Sequence, residues 1–380
     1  MQESLLALLP PRPYQRILDP ACGTGEFLLS AARRFPAARL EGWEVDRALC
    51  EIARTVAPSA TIRCCDALRQ PGDGGRFDLV LGNPPYFECR LAAAARGRFA
   101  PVLSGRPNVF ALFFHVGLSL LAEGGVLAFV VPQSMNNGAY FRRLREHILS
   151  LGAVIGLRLL PDESLFHAAR QTVMLIVVRK GARDDRFVFR RGGITVFSEA
   201  AARLAAAFEG RVTLADLGLS VKTGSVVWNQ HKPRLTSDPD AGTPLLWARN
   251  IGREGLAFPL PGERRQYIRT TGLPGAHPDR GPALVVNRVT GVGPRASLRC
   301  ALVPAGFEFF AENHVNVVSP APTRAGRNGG EEAFLGKVGR ALRSPEAIEA
   351  ARLLTGNTQI SKTELERLVP LPLPGPSGAS

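Results

Sequence analysis

Phe77-Asp-Leu-Val-Leu-Gly82 is followed directly by Asn83-Pro84-Pro85-Tyr86. The first segment is an apolar run that predicts a buried strand, so the four residues after it are expected at the carboxyl end of that strand. Open α/β sheets bind their ligands at this end of their strands. The stretch therefore predicts both a fold class and the location of an active site.

The two prolines restrict the backbone at this strand end. Because Pro85 limits the conformation of the residue before it, the Pro84 carbonyl can be held pointing into a pocket. The Asn83 side-chain oxygen is a second acceptor, and Tyr86 adds a flat face on which a planar ring can stack. We interpret Asn83, Pro84, Pro85 and Tyr86 as a site for a planar amine.

The surrounding region alternates strand-like and helix-like segments, which is typical of a doubly wound, mostly parallel sheet. The last two strand candidates are separated by a loop without a helix, so they are expected to form an antiparallel pair at one edge. The seven predicted strands are Arg16–Asp19, Leu40–Glu44, Thr61–Cys65, Phe77–Leu81, Val126–Val131, Val154–Leu160 and Thr172–Arg179.

Acidic side chains follow the first three strands in order. The first strand runs into Asp19-Pro-Ala-Cys-Gly23-Thr-Gly25, where glycines allow a ligand to approach the backbone closely. Glu44 ends the second strand, about 25 residues on, a distance typical of a carboxylate that binds ribose hydroxyls. Asp66 follows the third strand and is placed to accept from an adenine amino group. The series predicts a cofactor that contains adenosine.

The segments DPACGTGEF, GWEVD, CCDA and NPPY together resemble the S-adenosylmethionine-dependent amino-methyltransferases. The similarity is greatest to the gamma-class adenine-N6 DNA methyltransferases of type II restriction-modification systems, and it runs through the whole sheet region. It implies a Rossmann-like methyltransferase domain with S-adenosylmethionine as the cofactor. The implied cofactor contacts are Asp19, Ala21, Cys22, Gly23, Gly25, Glu44, Val45, Asp66, Ala67 and Asn83.

The resemblance also implies how the substrate is held. Asn83, Pro84, Pro85 and Tyr86 would bind a flipped-out base, and Phe166 would cover its outer face as a second stacking ring. Members of the family usually carry a short Thr-Pro segment before the first strand that helps to enclose the methionine part of the cofactor. This sequence departs from that pattern, and we expect either that the chain is N-terminally short or that residues 2–10 replace the segment imperfectly.

At 380 residues the chain is long for one core, so two domains are expected. We place the catalytic domain at 1–210, a mixed α+β target-recognition domain at 211–372 and a disordered tail at 373–380. No apolar run approaches the ~18 residues of a membrane span, and the N-terminus lacks the order of a secretory signal, which favours a soluble cytoplasmic protein. The six cysteines lack metal-ligand or disulfide spacing and are interpreted as reduced thiols without a metal.

The net charge is +14, and residues 211–300 carry 13 Lys and Arg against 6 Asp and Glu. Such a basic region favours a polyanionic partner, although an arginine-rich composition can also form ordinary soluble surface. Basic, amide and aromatic residues are interleaved there, as in surfaces that contact phosphates and base edges. Further along the chain, Asn313-His314 and Thr355-Gly-Asn-Thr-Gln-Ile360, followed by Leu368-Val-Pro-Leu-Pro-Leu-Pro, resemble the target-recognition domains of type II methyltransferases. The predicted DNA contacts are Lys222, Trp228, Asn229, Lys232, Arg234, Asn287, Arg288 and Gln359.

The sequence thus predicts a monomeric, site-specific adenine-N6 methyltransferase that acts on double-stranded DNA, with a separately encoded restriction endonuclease as its candidate partner. Three alternatives stay open. A cytosine-N4 methyltransferase would use the same geometry, although that class more often has Ser at the position of Asn83. A methyltransferase acting on a protein glutamine or on RNA can also carry this motif. Finally, the chain could be a DNA-binding protein with impaired catalysis.

Overall fold

A computed structural model describes residues 1–70, 75–136, 140–160, 173–262, 265–270, 277–288, 297–321, 330–355 and 359–375. The chain divides into two compact units, Met1–Ala202 and Arg203–Ser380. This division lies before the expected domain boundary at 210/211. Of the expected tail, residues 373–375 are described, and Leu373 packs against an apolar cluster of the second unit rather than being disordered. The remainder of the tail lies outside the described residues.

The first unit contains a seven-stranded sheet with helices along the chain between its strands. The order of the strands is β3-β2-β1-β4-β5-β7-β6. The strands are β1 (Arg16–Asp19), β2 (Arg39–Glu44), β3 (Ala60–Cys64), β4 (Phe77–Gly82), β5 (Leu121–Pro132), β6 (Gly152–Leu160) and β7 (Val173–Lys180). The helices are α1 (Gln2–Leu6), α2 (Glu26–Arg34), α3 (Arg47–Val56), α4 (Ala93–Phe99), α5 (Val109–Leu120) and α6 (Arg142–Leu151).

β7 is antiparallel to both β5 and β6, while the other neighbours in the sheet are parallel. The predicted doubly wound sheet and the antiparallel pair at its edge are therefore confirmed. A two-stranded hairpin, β8 (Val188–Arg191) with β9 (Ile194–Phe197), follows the sheet. The helix α7 (Ala201–Ala207) comes next along the chain.

Successive residues of the central strands enter two different apolar clusters. In β4, Leu79 and Leu81 belong to the cluster that includes α1 and α2, whereas Val80 belongs to the cluster that includes α5 and α6. Both faces of the strand are thus covered, which explains why it reads as a continuous apolar run rather than an alternating one. α5 is apolar nearly all round, and the Asn108 side chain caps its first turn.

The strand order reverses between β1 and β4. From β1 the chain first builds β2 and β3 on one side, and then crosses to add β4 and β5 on the other. β1 and β4 are parallel neighbours, with Leu18 opposite Val80. Asp19 and Gly82 end these two strands and therefore lie at the topological switch point, where such sheets open a crevice for ligands.

The side chains of Cys50 in α3 and Cys64 in β3 lie next to each other, with their Cα atoms 6.1 Å apart, a separation that a disulfide can span. That these two thiols are reduced stays a prediction. Their spacing of 14 residues matches no metal or disulfide motif, and only the packing of α3 on β3 brings the two sulfur atoms together. Cys22, Cys65, Cys89 and Cys300 are free.

The second unit is mixed α+β. One sheet has the order β10-β18-β15-β16, and another has the order β11-β13-β12-β17-β14. Its strands are β10 (Leu219–Thr223), β11 (Leu235–Thr236), β12 (Thr243–Leu246), β13 (Tyr267–Ile268), β14 (Asp279–Arg280), β15 (Ala283–Asn287), β16 (Cys300–Val303), β17 (Glu308–Ala311) and β18 (Val315–Pro320). Its helices are α8 (Glu331–Leu342), α9 (Pro345–Thr355) and α10 (Lys362–Arg367). None of the helices in the described part of the chain has the length and apolarity needed to cross a bilayer.

Candidate active site

Asp19 is buried at the end of β1, with 1% of its surface exposed. One carboxylate oxygen accepts a hydrogen bond from the Ala21 backbone N–H at 3.0 Å. Gly82, the last residue of β4, lies next to this carboxylate, and a Cβ atom on Gly82 would be 2.5 Å from Asp19 Oδ1. Gly82 was not among the predicted site residues. Its signal in the sequence is a glycine directly before the motif at a strand end, where backbone and side chain must approach closely.

Glu44 connects the end of β2 with the glycine-rich loop. One of its oxygens accepts from the Gly23 N–H at 3.0 Å, and the other accepts from the N–H groups of Val45 at 2.8 Å and Asp46 at 3.0 Å. Gly23 has a φ of +53°, a conformation that favours glycine. The carboxylate therefore holds the loop against the sheet and is itself fixed in position.

A cavity of about 900 Å³ opens at these strand ends. It is within the range of small-molecule and cofactor sites. Seven of the predicted site residues line it: Ala21, Glu44, Val45, Asp66, Ala67, Asn83 and Pro85. The remaining predicted residues of this region that the structure describes lie outside its lining: Asp19, Cys22, Gly23, Gly25, Pro84 and Tyr86. Leu49, Leu68 and Phe87 line the cavity without having been predicted.

Two of the residues outside the lining serve the loop itself. Cys22 is buried, and its sulfur atom lies where a Cβ on Gly42 would come within 2.9 Å. Gly25 is the N-cap residue of α2, has a φ of +92° and donates its N–H to the Cys22 carbonyl at 2.8 Å. A Cβ at Gly25 would approach the Ala53 backbone at 3.2 Å. Both residues therefore shape the loop rather than face the cavity.

The lining suits an adenosine-containing cofactor. Glu44 and Asp66 supply carboxylate acceptors at the ends of β2 and β3, while Val45 leaves 71% of an apolar side chain exposed beside them. Asp66 accepts from the Leu68 N–H at 2.9 Å and pairs with Arg69 at 3.2 Å, which orients its carboxylate. Hydroxyl and amino groups need such acceptors, and a ring needs an apolar face. These acceptors and the apolar side chain beside them therefore fit S-adenosylmethionine.

Asn83-Pro84-Pro85-Tyr86, which we call the acceptor motif, is held by contacts with β5. The Tyr86 hydroxyl lies within hydrogen-bonding distance of Asn83 Oδ1 and of the Val130 carbonyl, the latter at 2.9 Å. Its ring meets Phe110 edge-on, with centroids 6.3 Å apart, and burial raises the pKa of Tyr86 above its usual range. None of the hydrogen bonds found among the described residues ends on the Pro84 carbonyl oxygen. The predicted second stacking ring, Phe166, lies outside the described residues.

Asp19 gives the first testable prediction. Burial raises the pKa of its carboxyl to about 7, an effect opposed by the Ala21 N–H and reinforced by the negative charge of Glu44. The folded state therefore keeps a proton that the unfolded chain loses near pH 4, so this contribution to stability is complete below that pH and is lost as the pH rises through 7. Each pKa unit corresponds to about 1.4 kcal/mol.

The measurement is urea unfolding of the wild type and of Asp19→Asn between pH 4 and pH 8. Asparagine retains an oxygen for the Ala21 N–H but does not titrate. We expect the free energy of unfolding of the wild type, relative to that of the variant, to fall between pH 4 and 7 and then level off. Parallel curves over this range would show that Asp19 does not titrate as described.

The second unit carries a separate cluster of aromatic and basic side chains, which we call the tryptophan cluster. Lys232 Nζ lies 4.9 Å from the centroid of the Trp228 ring, and Arg249 Cζ lies 4.9 Å from the centroid of the Trp247 ring. The two indole rings are 5.9 Å apart. Trp228 is 37% exposed, and Lys232 and the predicted contact Asn229 are exposed as well. Trp247 and Arg249 were not among the predicted contacts, because only the pairing of distant loops places them beside Trp228.

The other predicted DNA contacts differ in their surroundings. Asn287 is 1% exposed, and its amide bonds to the Ser297 carbonyl and the Arg299 N–H, so its prediction as a DNA contact is wrong: it is a structural amide. Lys222 is exposed but pairs with Asp279. Arg288 bonds to the Asn313 carbonyl at 3.3 Å. Arg234 and Gln359 are half-buried.

The strand order of the first unit, with its antiparallel β7, and the loop-to-acid arrangement at the ends of β1 and β2 define the S-adenosylmethionine-dependent methyltransferase fold. Residues 33–166 match the model of the Eco57I restriction-modification methylase family. The match lies within the first unit and covers less than half of the chain, so this part of the chain is similar to methylases of the restriction-modification type.

Three relatives illustrate the similarity. Modification methylase CviBIII of Paramecium bursaria Chlorella virus NC1A is 27% identical over 179 residues, 47% of this chain and 46% of the relative. Type II methyltransferase M.CvrRI of Paramecium bursaria Chlorella virus XZ-6E is 26% identical over 243 residues, 63% of this chain and 62% of the relative. A tRNA1(Val) (adenine(37)-N6)-methyltransferase of Porphyromonas gingivalis is 37% identical over 94 residues, 22% of this chain and 37% of the relative. The chain therefore spans less than two thirds of the length of each.

Proposed function

We propose that the protein transfers a methyl group from S-adenosylmethionine to the exocyclic N6 amine of an adenine in double-stranded DNA, as the modification enzyme of a restriction-modification system. The observation that carries the proposal is the shared cavity: Asn83 and Pro85 of the acceptor motif line the same space as Glu44 and Asp66. This shared lining supports the proposal that an amine acceptor and an adenosine site lie together at the switch point of the sheet.

In this proposal the residues position the amine rather than deprotonate it. The nitrogen of adenine is a poor nucleophile because its lone pair is delocalised into the ring. Asn83 Oδ1 and the Pro84 carbonyl would accept hydrogen bonds from its two N–H groups, which draws the nitrogen toward tetrahedral geometry. These hydrogen bonds strengthen as positive charge develops on the nitrogen. S-adenosylmethionine supplies a methyl group already activated by a sulfonium. Since the amine is inaccessible inside a duplex, the base must be flipped out.

The base and polymer are tested together by incubating the purified full chain with tritiated S-adenosylmethionine and unmethylated plasmid, single-stranded DNA or bulk tRNA. The nucleic acid is then digested, and its nucleosides are separated by liquid chromatography and identified by mass spectrometry. We expect N6-methyl-2′-deoxyadenosine from the plasmid. N4-methyl-2′-deoxycytidine would replace adenine by cytosine in the proposal, and label confined to tRNA would overturn it. DNA binding without any label would support the reading of a DNA-binding protein with impaired catalysis.

The match to tRNA methyltransferases favours one second candidate, an adenine in RNA. That match covers 22% of this chain, and it leaves no role for a second unit that begins at Arg203. The basic region of that unit and its tryptophan cluster instead suit a long polyanion such as duplex DNA. The proposal includes a separately encoded restriction endonuclease as the partner. Methylation by the modification enzyme would protect DNA from cleavage by that endonuclease.

The tryptophan cluster gives a second prediction. Lys232→Ala removes a cation that lies over Trp228 and faces solvent, so DNA affinity is expected to fall and the slope of log K against log salt to become shallower by about 1. Lys337→Ala is the matched control, because Lys337 is an exposed lysine of α8 that is not a member of the cluster. Fluorescence anisotropy across salt concentrations measures both slopes. Equal slopes for the two variants would remove Lys232 from the DNA interface.

A further inference from the structure

Tyr86, the aromatic residue of the acceptor motif, is not free to present its hydroxyl or the whole of its ring to a ligand. Its hydroxyl is placed between Asn83 Oδ1 and the Val130 carbonyl. Its ring is half-buried and packs against the apolar cluster that contains Phe110. Tyr86 does not line the cavity. The exposed aromatic ring that lines this cavity beside the acceptor motif therefore belongs to a different residue.

Phe87, the next residue, has the opposite surroundings. It is 58% exposed, and its side chain lines the cavity that also contains Asn83 and Pro85. A single exposed phenylalanine is common on protein surfaces. Here, however, the exposed ring stands in a concave site that also contains the carboxylates of Glu44 and Asp66.

The backbone around Phe87 is held in place, which distinguishes it from an aromatic residue on a loose loop. The Phe87 carbonyl accepts from the Val109 N–H at 2.9 Å, and the Cys89 N–H donates to the Pro107 carbonyl at 2.9 Å. Between them, Glu88 forms an antiparallel bridge with Asn108, the cap of α5. The segment that carries the ring is thus paired with the start of a buried helix, so the ring is presented at a defined position.

We propose that Phe87 is a substrate- or cofactor-contacting residue whose ring stacks on a purine in this cavity. An apolar, exposed ring with a fixed backbone loses little conformational freedom on binding, and a purine offers a flat face of matching size. The proposal rests on the proposed function, which places two adenine rings at this site: that of the cofactor and that of the target. Both have the chemistry that Phe87 would recognise, and two binding measurements distinguish them.

The first measurement is the affinity for S-adenosylhomocysteine without DNA, by isothermal titration. The second is the fluorescence of duplex DNA in which 2-aminopurine replaces the adenines of one strand, titrated with protein, because this analogue brightens when it leaves the base stack. Phe87→Ala is expected to lower one of these affinities by about 5- to 150-fold, the usual range for an aromatic stack on one base. Loss in the first assay assigns the cofactor adenine, and loss in the second assigns the target base.

Three control variants make the result specific. Phe87→Tyr keeps a ring and is expected to bind like the wild type, whereas Phe87→Leu keeps apolar bulk without a ring and is expected to resemble Phe87→Ala. Ile52→Ala truncates an apolar side chain of α3 that is 45% exposed and does not line the cavity, and it is expected to change neither affinity. Circular dichroism confirms that each variant is folded.

Unchanged affinities in both assays for Phe87→Ala, or equal losses for Phe87→Leu and Phe87→Tyr, would overturn the proposal. Both readouts measure binding, so they do not depend on turnover. Failure of the proposed function would appear separately, as a wild type that binds S-adenosylhomocysteine and DNA but transfers no methyl group to any nucleic acid.

Discussion

Asn83→Ala is expected to reduce the rate of methyl transfer by about 10²- to 10³-fold, the usual loss when one positioned hydrogen-bonding group that acts in the transition state is removed. The Asn83 oxygen stands directly after β4, at the switch point of the sheet, and lines the cavity shared with Glu44. Because the hydrogen bond to the amine strengthens only as its nitrogen becomes positive, the variant should lose kcat more than affinity for DNA.

The control for this prediction is Tyr86→Phe. It removes the hydroxyl that meets Asn83 Oδ1 and Val130 but keeps the ring against Phe110. With the Asn83 oxygen intact, we expect the rate to change by less than about tenfold. Single-turnover kinetics with tritiated S-adenosylmethionine measures both variants, and anisotropy with labelled duplex measures DNA binding. An Asn83→Ala protein that turns over like the wild type would remove Asn83 from the reaction.

Gly82→Ala is expected to have the largest effect on stability. Gly82 has a φ of +148°, where a side chain is strained, and a Cβ there would lie 2.5 Å from the buried oxygen of Asp19. Neither group can move easily, because Asp19 ends β1 and is hydrogen-bonded to Ala21. Backbone strain and overpacking together predict a loss of about 3–5 kcal/mol. In a domain of this size each kcal/mol lowers Tm by about 2–4 °C.

Gly124→Ala separates strain from the steric contact. Gly124 also has a positive φ, +71°, but a Cβ there would meet no atom within 4 Å. We expect a loss of only about 1–2 kcal/mol for this variant. Thermal unfolding followed by circular dichroism, together with titration of S-adenosylhomocysteine, gives the comparison. If the two variants lost the same stability, the close approach of Asp19 and Gly82 would not be what requires a glycine at the end of β4.

Most of the first unit could be predicted because both of its signals are local. Buried strands of a parallel sheet read as apolar runs, and polar residues directly after them mark the carboxyl ends, so all seven strands and the cavity-lining residues Glu44, Asp66 and Asn83 were recognisable. The predictions were weaker in the second unit. There the strands are short, and whether a residue such as Asn287 faces solvent or bonds internally depends on which strand pairs with it.

The direction of a side chain was equally hard to predict. Tyr86 and Phe87 are consecutive aromatic residues, and nothing in their identities shows which one faces the cavity. Phe87 is the exposed ring for two reasons. The segment around it pairs with residues 107–109, and the Tyr86 hydroxyl forms a hydrogen bond with the Val130 carbonyl. The same holds for Trp247 and Arg249, which join Trp228 and Lys232 only through folding of distant loops.

By itself, the sequence determined the sheet, the order of acids along its strand ends and the class of chemistry, because these depend on periodicity and on residues adjacent in the chain. Only the tertiary structure decided which of those residues face the cavity, which form internal hydrogen bonds that hold the site in place and why Gly82 must lack a side chain. Those properties depend on contacts between segments far apart in the chain, such as Asp19 with Gly82 and Tyr86 with Val130, and they arise only when β1, β4 and β5 lie side by side.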